Sequence, residues 1–352
     1  MFNLSSITRE NIKRLQPYSS ARDEFSGTAA AFLDANENSL GSPLGNDHMR
    51  YPDPHQLALK DVISRDKKLM AENIFLGNGS DECIDLLYRC FCNPEKDNVI
   101  ICPPTYGMYE VSAHVNDVQI RTATLLDNFQ LDIQAIRGLT DNNTKMIWIC
   151  SPNNPTGNSI NTDEIKQLAA NFNGLAVIDE AYIDFASQDS LINELSNYPN
   201  FVVLQTLSKA WGMAALRLGM AFASKEIIAV LNKVKPPYNI SGPTQQLALK
   251  ALHEKPQFET NVSVLKDLRT TLAKNLEELP VIEKLYPSDA NFLLARVTKA
   301  TEVYNYLIGK RIVVRNRSNI VLCDSCLRIT VGNEKENELL VAELINYSNQ
   351  LS

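Results

Sequence analysis

At 352 residues the chain is long enough for two domains, each with its own core. It is 44% hydrophobic and 21% charged, with a formal net charge of -7, a balance that argues against nucleic acid as a partner. No window holds the roughly eighteen uninterrupted apolar residues of a membrane span, so no membrane partner is expected either.

The opening MFNLSSITRENIKRL lacks the apolar core and small-residue cleavage site of a secretory signal, which makes the cytoplasm the expected compartment. Residues 1–30 read as an arm of weak periodicity. From there, short runs rich in Val and Ile alternate with helical stretches: NIFL (73–76), NVIIC (98–102), VQIRTA (118–123), KMIWIC (145–150), LAVID (175–179) and FVVLQ (201–205). That alternation predicts an α/β fold, a mainly parallel sheet covered by helices. LGMAFA (218–223) follows 205 too soon for a comfortable parallel crossover and is expected to be antiparallel. KVKPPYNISGP (233–243) is a proline-punctuated joint. Beyond it, helical stretches at 244–255 and 257–279 and apolar runs at 291–297, 312–316 and 326–331 predict a smaller α+β domain. The expected organisation is an arm (1–30), a large domain (31–243) and a small C-terminal domain (244–352).

Seven cysteines, an odd number scattered through a long chain, do not form a disulfide framework. Cys323 and Cys326 make one CxxC, with no second pair or nearby histidine to complete a zinc site, and the four histidines are dispersed. No metal is expected.

Polar clusters fall where an open α/β sheet places its ligands, just past the carboxyl ends of strands. GNGSDECIDLLYRCF (77–91) opens an amphipathic helix with two glycines and a Ser-Asp pair, and backbone N–H groups at such a start favour an anion. Glu82 stands where the third glycine of a dinucleotide fingerprint would be, and no GxxxxGK[ST] occurs. Taken alone, Ser80 or Asp81 serves equally well as a helix cap. PPTYGMY (103–109) presents Tyr106 and Tyr109 in a turn, where simple packing is the competing reading. SPNNPTGN (151–158) is a sharp loop whose Pro and Gly follow from turn chemistry, and Asn154 is either a placed amide or an Asx turn. DEAYIDF (179–185) puts Asp179 at the end of an apolar strand, where a carboxylate needs a cationic partner. TLSKAWGMAALRLG (206–219) holds Lys209 and, eight residues on, Arg217; each alone could lie along apolar surface with its charge in water.

Together these parts fit one chemistry, that of an aldehyde cofactor with a phosphate and a pyridine nitrogen. A lysine can join the aldehyde as an imine, an aspartate keeps the pyridine protonated, and a helix start with hydroxyls and an arginine binds the phosphate.

From about Lys13 to Gly332 the sequence resembles the fold type I aminotransferases that use pyridoxal 5′-phosphate. SPNNPTG, DEAY and SxK with its following arginine are common to much of that fold type. QPYSSAR (16–22), DANEN (34–38), YPDP (51–54), GNGSDE, CPPTYGMY, KPPYN (235–239) and CLRITVG (326–332) look like its histidinol-phosphate aminotransferase branch. The resemblance implies a mainly parallel seven-stranded sheet sandwiched by helices, plus the small C-terminal domain. It implies a Schiff base on Lys209, which also shuttles the substrate's α-proton, and Asp179 against the pyridinium nitrogen. Asn154 and Tyr182 would bond the ring oxygen, and Tyr106 would stack on the ring. Ser80, Asp81, Thr206, Ser208 and Arg217 would surround the phosphate. Tyr51 would reach in from the second subunit of a homodimer. Arg315 and Arg328, with Tyr18 and Asn36, would take the substrate's carboxylate or phosphate. The implied reaction is a ping-pong transfer from L-glutamate to imidazole acetol phosphate, giving 2-oxoglutarate and L-histidinol phosphate in histidine biosynthesis. An aromatic-amino-acid aminotransferase or a phosphothreonine-type decarboxylase would share the cofactor residues, and a ligand-binding regulatory module is the non-enzyme alternative. Two departures are visible: Ala215 stands where the family usually has Gly, which bears on local backbone geometry, and DANENSLGSP lacks the Pro-Tyr-Gly that often follows Asn38.

Overall fold

The computed structural model describes residues 2–19, 29–45 and 48–351. Short helices α1 (Leu4–Ile7) and α2 (Glu10–Arg14) precede α3 (Leu57–Lys67). Next come β1 (Ile74–Asn78), α4 (Gly79–Phe91), β2 (Asn98–Ile101), α5 (Met108–Val115), β3 (Gln119–Thr122), α6 (Ile133–Leu139) and β4 (Thr144–Cys150). They are followed by α7 (Thr162–Ala170), β5 (Leu175–Asp179), β6 (Phe201–Thr206), β7 (Leu218–Ala223) and α8 (Lys225–Val234). The C-terminal part holds α9 (Gly242–His253), α10 (Lys255–Glu277), β8 (Ile282–Leu285), β9 (Phe292–Val297), α11 (Ala300–Gly309), β10 (Arg315–Asn316), β11 (Cys326–Thr330) and α12 (Glu334–Leu351).

The first seven strands form one sheet in the order β1-β7-β6-β5-β4-β2-β3. Strands β2 to β6 pair in parallel, and β7 runs antiparallel to both β1 and β6, as its short connection demands. Near-continuous apolar strands are what a sheet covered on both faces requires. Within β4, Ile147 and Ile149 join the core on one face while Met146, Trp148 and Cys150 join the core on the other. Period two thus sends alternate side chains into two separate cores.

The second sheet is antiparallel, in the order β10-β11-β9-β8, and packs against α10, α11 and α12 over its own core of Leu272, Leu276, Leu293, Leu307, Leu327, Leu340 and Leu344. The strand expected at 312–316 is confined to Arg315–Asn316, because Arg311 turns left-handed and Val313 faces outward, 78% exposed. Helix α9 packs on α3 and the turn Ala214–Leu216, and its Ala248 sits in a large-sheet core. Helix α10 then reaches the second sheet, with Val262 packed beside Tyr182 and Phe185.

One close approach fixes the strand ends. A Cβ on Gly219 would lie 2.2 Å from the Gly79 carbonyl carbon and the Ser80 nitrogen, so only glycine lets the start of α4 rest on β7. The Gly79 N–H donates to the Arg217 carbonyl at 2.6 Å, closing that contact.

Candidate active site

The carboxyl ends of β2, β4, β5 and β6 and the start of α4 surround a cavity of about 600 Å³. It is lined by Ser80, Asp81, Tyr106, Asn154, Asp179, Tyr182, Thr206, Ser208, Lys209, Arg217, Arg315 and Arg328. These residues span some 250 positions of sequence and converge because most of them follow strand ends along one edge of the large sheet, while Arg315 and Arg328 come from β10 and β11 of the second sheet.

At one end lies an anion cradle. Helix α4 starts at Gly79 with no side chain capping its first N–H groups, so the helix dipole faces the cavity. Asp81 does not cap; its carboxylate pairs with Arg217 Nη2 at 3.2 Å and accepts from the Tyr106 hydroxyl at 3.1 Å. Glu82 satisfies the helix start from outside, accepting from the Asn78 N–H at 2.5 Å and from Asn239 Nδ2 at 3.2 Å. Arg217 stands left-handed (φ 51) and leans over Gly79, where a Cβ would come within 2.7 Å of Nη2. The turn before it, Ala214–Leu216, is a 3-10 turn that carries Ala215 without left-handed backbone. Thr206 bonds the Leu218 carbonyl at 3.1 Å and accepts from the Ser208 N–H at 3.1 Å, and Ser208 Oγ lies 3.5 Å from Arg217 Nη1.

Asp179 forms the floor, 2% exposed at the end of β5. It accepts from the Tyr109 hydroxyl at 2.7 Å and from the Ala181 N–H at 3.1 Å. Burial raises its carboxyl above the ordinary range, and those two donors pull it down. Tyr109 is wholly buried and stacked on Trp148 at 4.8 Å, so its hydroxyl is fixed. The next residue, Glu180, faces the other way and is consumed by structure: Ser190 Oγ, the Leu191 N–H (2.7 Å) and Gln205 Nε2 (2.9 Å) all donate to it. Burial pushes its carboxyl up to about 7.

Lys209 lies three residues past β6, its Nζ 5.5 Å from the centre of the Tyr182 ring. Burial and the Arg328 guanidinium hold its ammonium below the ordinary value, against the opposing pull of Asp179 and Asp81. Asn154 is buried in a loop that Asn153 ties to the Pro104 carbonyl at 2.8 Å. Its Oδ1 accepts from Arg328 Nη1 at 2.6 Å, and its Nδ2 lies 3.5 Å from the Tyr182 hydroxyl. Arg328 comes from β11, opposite Arg315 on β10. A third guanidinium, Arg317, also lines this wall.

Tyr18, 72% exposed, does not line this cavity within the single chain. Asn36 and Tyr51 line a second hollow with Tyr238, on which Tyr51 stacks at 4.5 Å. Residues 20–22 of the QPYSSAR stretch lie outside the described residues.

The donor set suits a phosphorylated pyridine aldehyde. Asp179 is a buried carboxylate that forms no ion pair with any other described residue, so its charge calls for a cation the chain does not supply. A pyridinium nitrogen would answer it, with Arg217 and the start of α4 at the phosphate, Asn154 and Tyr182 at the ring oxygen, and Lys209 at the aldehyde.

The sequence profile described as "Aminotransferase class I and II" matches residues 28–344. The chain is similar to the histidinol-phosphate aminotransferase of Cytophaga hutchinsonii, 54% identical over 98% of this chain and 99% of that one. It is similar to that of Bacteroides thetaiotaomicron as well, 52% identical over 99% of each. Among solved structures, the histidinol-phosphate aminotransferase from Clostridium acetobutylicum superposes with a TM-score of 0.79 at 27% identity, over 86% of this chain and 91% of that one. The enzyme from Sinorhizobium meliloti in complex with pyridoxal-5′-phosphate shares the fold, with a TM-score of 0.79 at 22% identity over 90% of each chain.

Proposed function

Because the chain belongs to the class I and II aminotransferases, we propose that the Lys209 cavity carries an amino group from L-glutamate to imidazole acetol phosphate. The products are 2-oxoglutarate and L-histidinol phosphate, and the step belongs to histidine biosynthesis. The enzyme depends on pyridoxal 5′-phosphate. The carrying observation is that the amine of Lys209, the buried carboxylate of Asp179 and a wall of guanidinium groups meet in one cavity.

When bound, the cofactor supplies an aldehyde carbon for the amine and a protonated ring that draws in the electron pair left on the substrate's α-carbon. Asp179 would hold the proton on the ring nitrogen, and Tyr109 and the Ala181 N–H favour its ionised form and aim it. Lys209, its amine made easier to deprotonate by burial, would take the proton from the substrate's α-carbon and give it up again on the far side of the transferred nitrogen, at the carbon that the cofactor's aldehyde would supply. Tyr106 and Tyr182, whose phenols burial raises well above their ordinary values, stay neutral and act as donors. Arg328, held by Asn154, binds the anion next to the reacting carbon. The same residues serve both half-reactions, which makes the kinetics ping-pong. Assays of the purified enzyme with histidinol phosphate, phenylalanine and phosphothreonine test the substrate; histidinol phosphate should be turned over fastest, and faster phenylalanine turnover would overturn it.

We propose further that the enzyme is a cytoplasmic homodimer in which Tyr51 completes the neighbouring subunit's phosphate cradle. Support comes from its place in a separate hollow, half-exposed beside Asn36, and from seven buried cysteines with no disulfide among them. Mixing Tyr51→Ala with Lys209→Ala subunits should restore activity above either parent, since each mixed dimer regains one intact site. Mixed dimers verified by mass that stay as inactive as their parents would rule the crossing out.

A further inference from the structure

Arg315 and Arg328 are direct partners across β10 and β11, so their side chains leave the small sheet on one face. Arg317 lies two residues beyond Arg315, and its N–H donates to the Cys326 carbonyl at 2.8 Å, which carries the pairing one step past β10. Period two therefore puts Arg317 on that same face, and it lines the Lys209 cavity with the other two. Asn316, between them, turns the opposite way, accepting from the Ser318 N–H at 2.9 Å and lying 3.4 Å from the Thr301 hydroxyl. None of the three arginines pairs with a carboxylate among the described residues. The Nε groups of Arg317 and Arg328 are buried without hydrogen-bond partners. Three unneutralised guanidinium groups on one wall are costly unless an anion of high charge is their occupant.

The substrates proposed above differ at this wall. Glutamate places a flat carboxylate directly on the α-carbon, and one guanidinium fork, Arg328, satisfies it. Histidinol phosphate carries there a phosphate ester on a methylene, which reaches further, holds up to two charges and presents three terminal oxygens. We propose that Arg317 is a specificity-determining residue that binds the outer oxygens of this phosphate beside Arg315. It thereby favours the phosphate substrate over the carboxylate one at the position they share. This rests on the histidinol-phosphate reading of the site.

The test follows the two half-reactions separately in the holoenzyme, with inorganic phosphate as a non-reacting competitor. Arg317→Gln should raise KM for histidinol phosphate about 10- to 100-fold, the worth of one charge-assisted hydrogen bond, with a much smaller change in kcat. Its effect on the glutamate half-reaction should be smaller by an order of magnitude, and inorganic phosphate should inhibit it more weakly. Arg317→Lys should recover part of the loss, which a purely structural role would not give. Equal losses in both half-reactions, or an unchanged KM for histidinol phosphate, would overturn the assignment. If the unsubstituted enzyme rejects histidinol phosphate, the reading of the reaction fails, and phosphate inhibition still decides whether Arg317 binds the anion.

Discussion

Replacement of Lys209 by alanine is expected to lower turnover by at least about 10⁴-fold, since it removes both the positioned base and the amine that engages the cofactor's aldehyde. The fold should survive. Lys209's backbone contact, its carbonyl accepting from the Gly212 N–H at 3.0 Å, is retained by alanine. Its ammonium is disfavoured by burial and by Arg328 and makes no side-chain hydrogen bond or ion pair among the described residues, so truncation relieves a desolvated charge and leaves no hydrogen-bond partner behind. Steady-state rates, with thermal unfolding as the control for folding, provide the measurement. Borohydride reduction followed by peptide mapping asks the same of the residue directly. Activity within tenfold of the parent, or a label fixed on another side chain, would remove Lys209 from this role. The lowered amine also sets a direction in pH: proton transfer should speed up as the free ammonium deprotonates, at lower pH than an unperturbed lysine would allow.

The features legible in the sequence are those whose signal is local. Buried strands announce themselves as Val- and Ile-rich runs, and chemistry follows their ends. Lys209, Asp179, Asn154 and Arg217 could therefore be singled out before any strand order was known. Tyr109 was visible in its turn, but its bond to Asp179 depends on β2 and β5 both flanking β4, a long-range property that no local pattern encodes. Arg317 is hard to see in sequence because the apolar run 312–316 stops one residue short of it, although a period-two count continued through VVRNRS puts it on the face of Arg315. Strand β8 escaped because IEKL lies at a sheet edge with partly exposed side chains and lacks an apolar run. Tyr18, Asn36 and Tyr51 carry no local signal of their own and stand out through the resemblance alone, and none of the three lines the Lys209 cavity of its own chain.

Asp179→Asn is expected to separate catalysis from stability. Turnover should fall about 10³-fold or more, in line with removal of a preorganised charge from a water-poor site. Asparagine keeps the shape and can still meet the Ala181 N–H and the Tyr109 hydroxyl, the latter turning to accept. What it cannot do is hold a proton on a pyridine. The stability of the cofactor-free protein should move the other way. Burial raises the Asp179 carboxyl in the folded state, so its contribution is fully favourable below the unfolded value of about 3.9 and is lost as pH rises through the folded value. At neutral pH the cofactor-free parent therefore bears the cost of burying a carboxyl that would be ionised in the unfolded chain, a cost the variant lacks, and the variant should melt at the same or a higher temperature, the difference closing in acid. Added pyridoxal 5′-phosphate should stabilise the parent more than the variant, because only the parent gains the ion pair. Tyr109→Phe offers an intermediate case: with one of its two donors gone, the carboxyl should rise further and the pH profile of turnover should shift upward. A cofactor-free Asp179→Asn protein less stable than its parent at neutral pH would make the aspartate a structural anchor, and parent-like turnover would end its part in the chemistry.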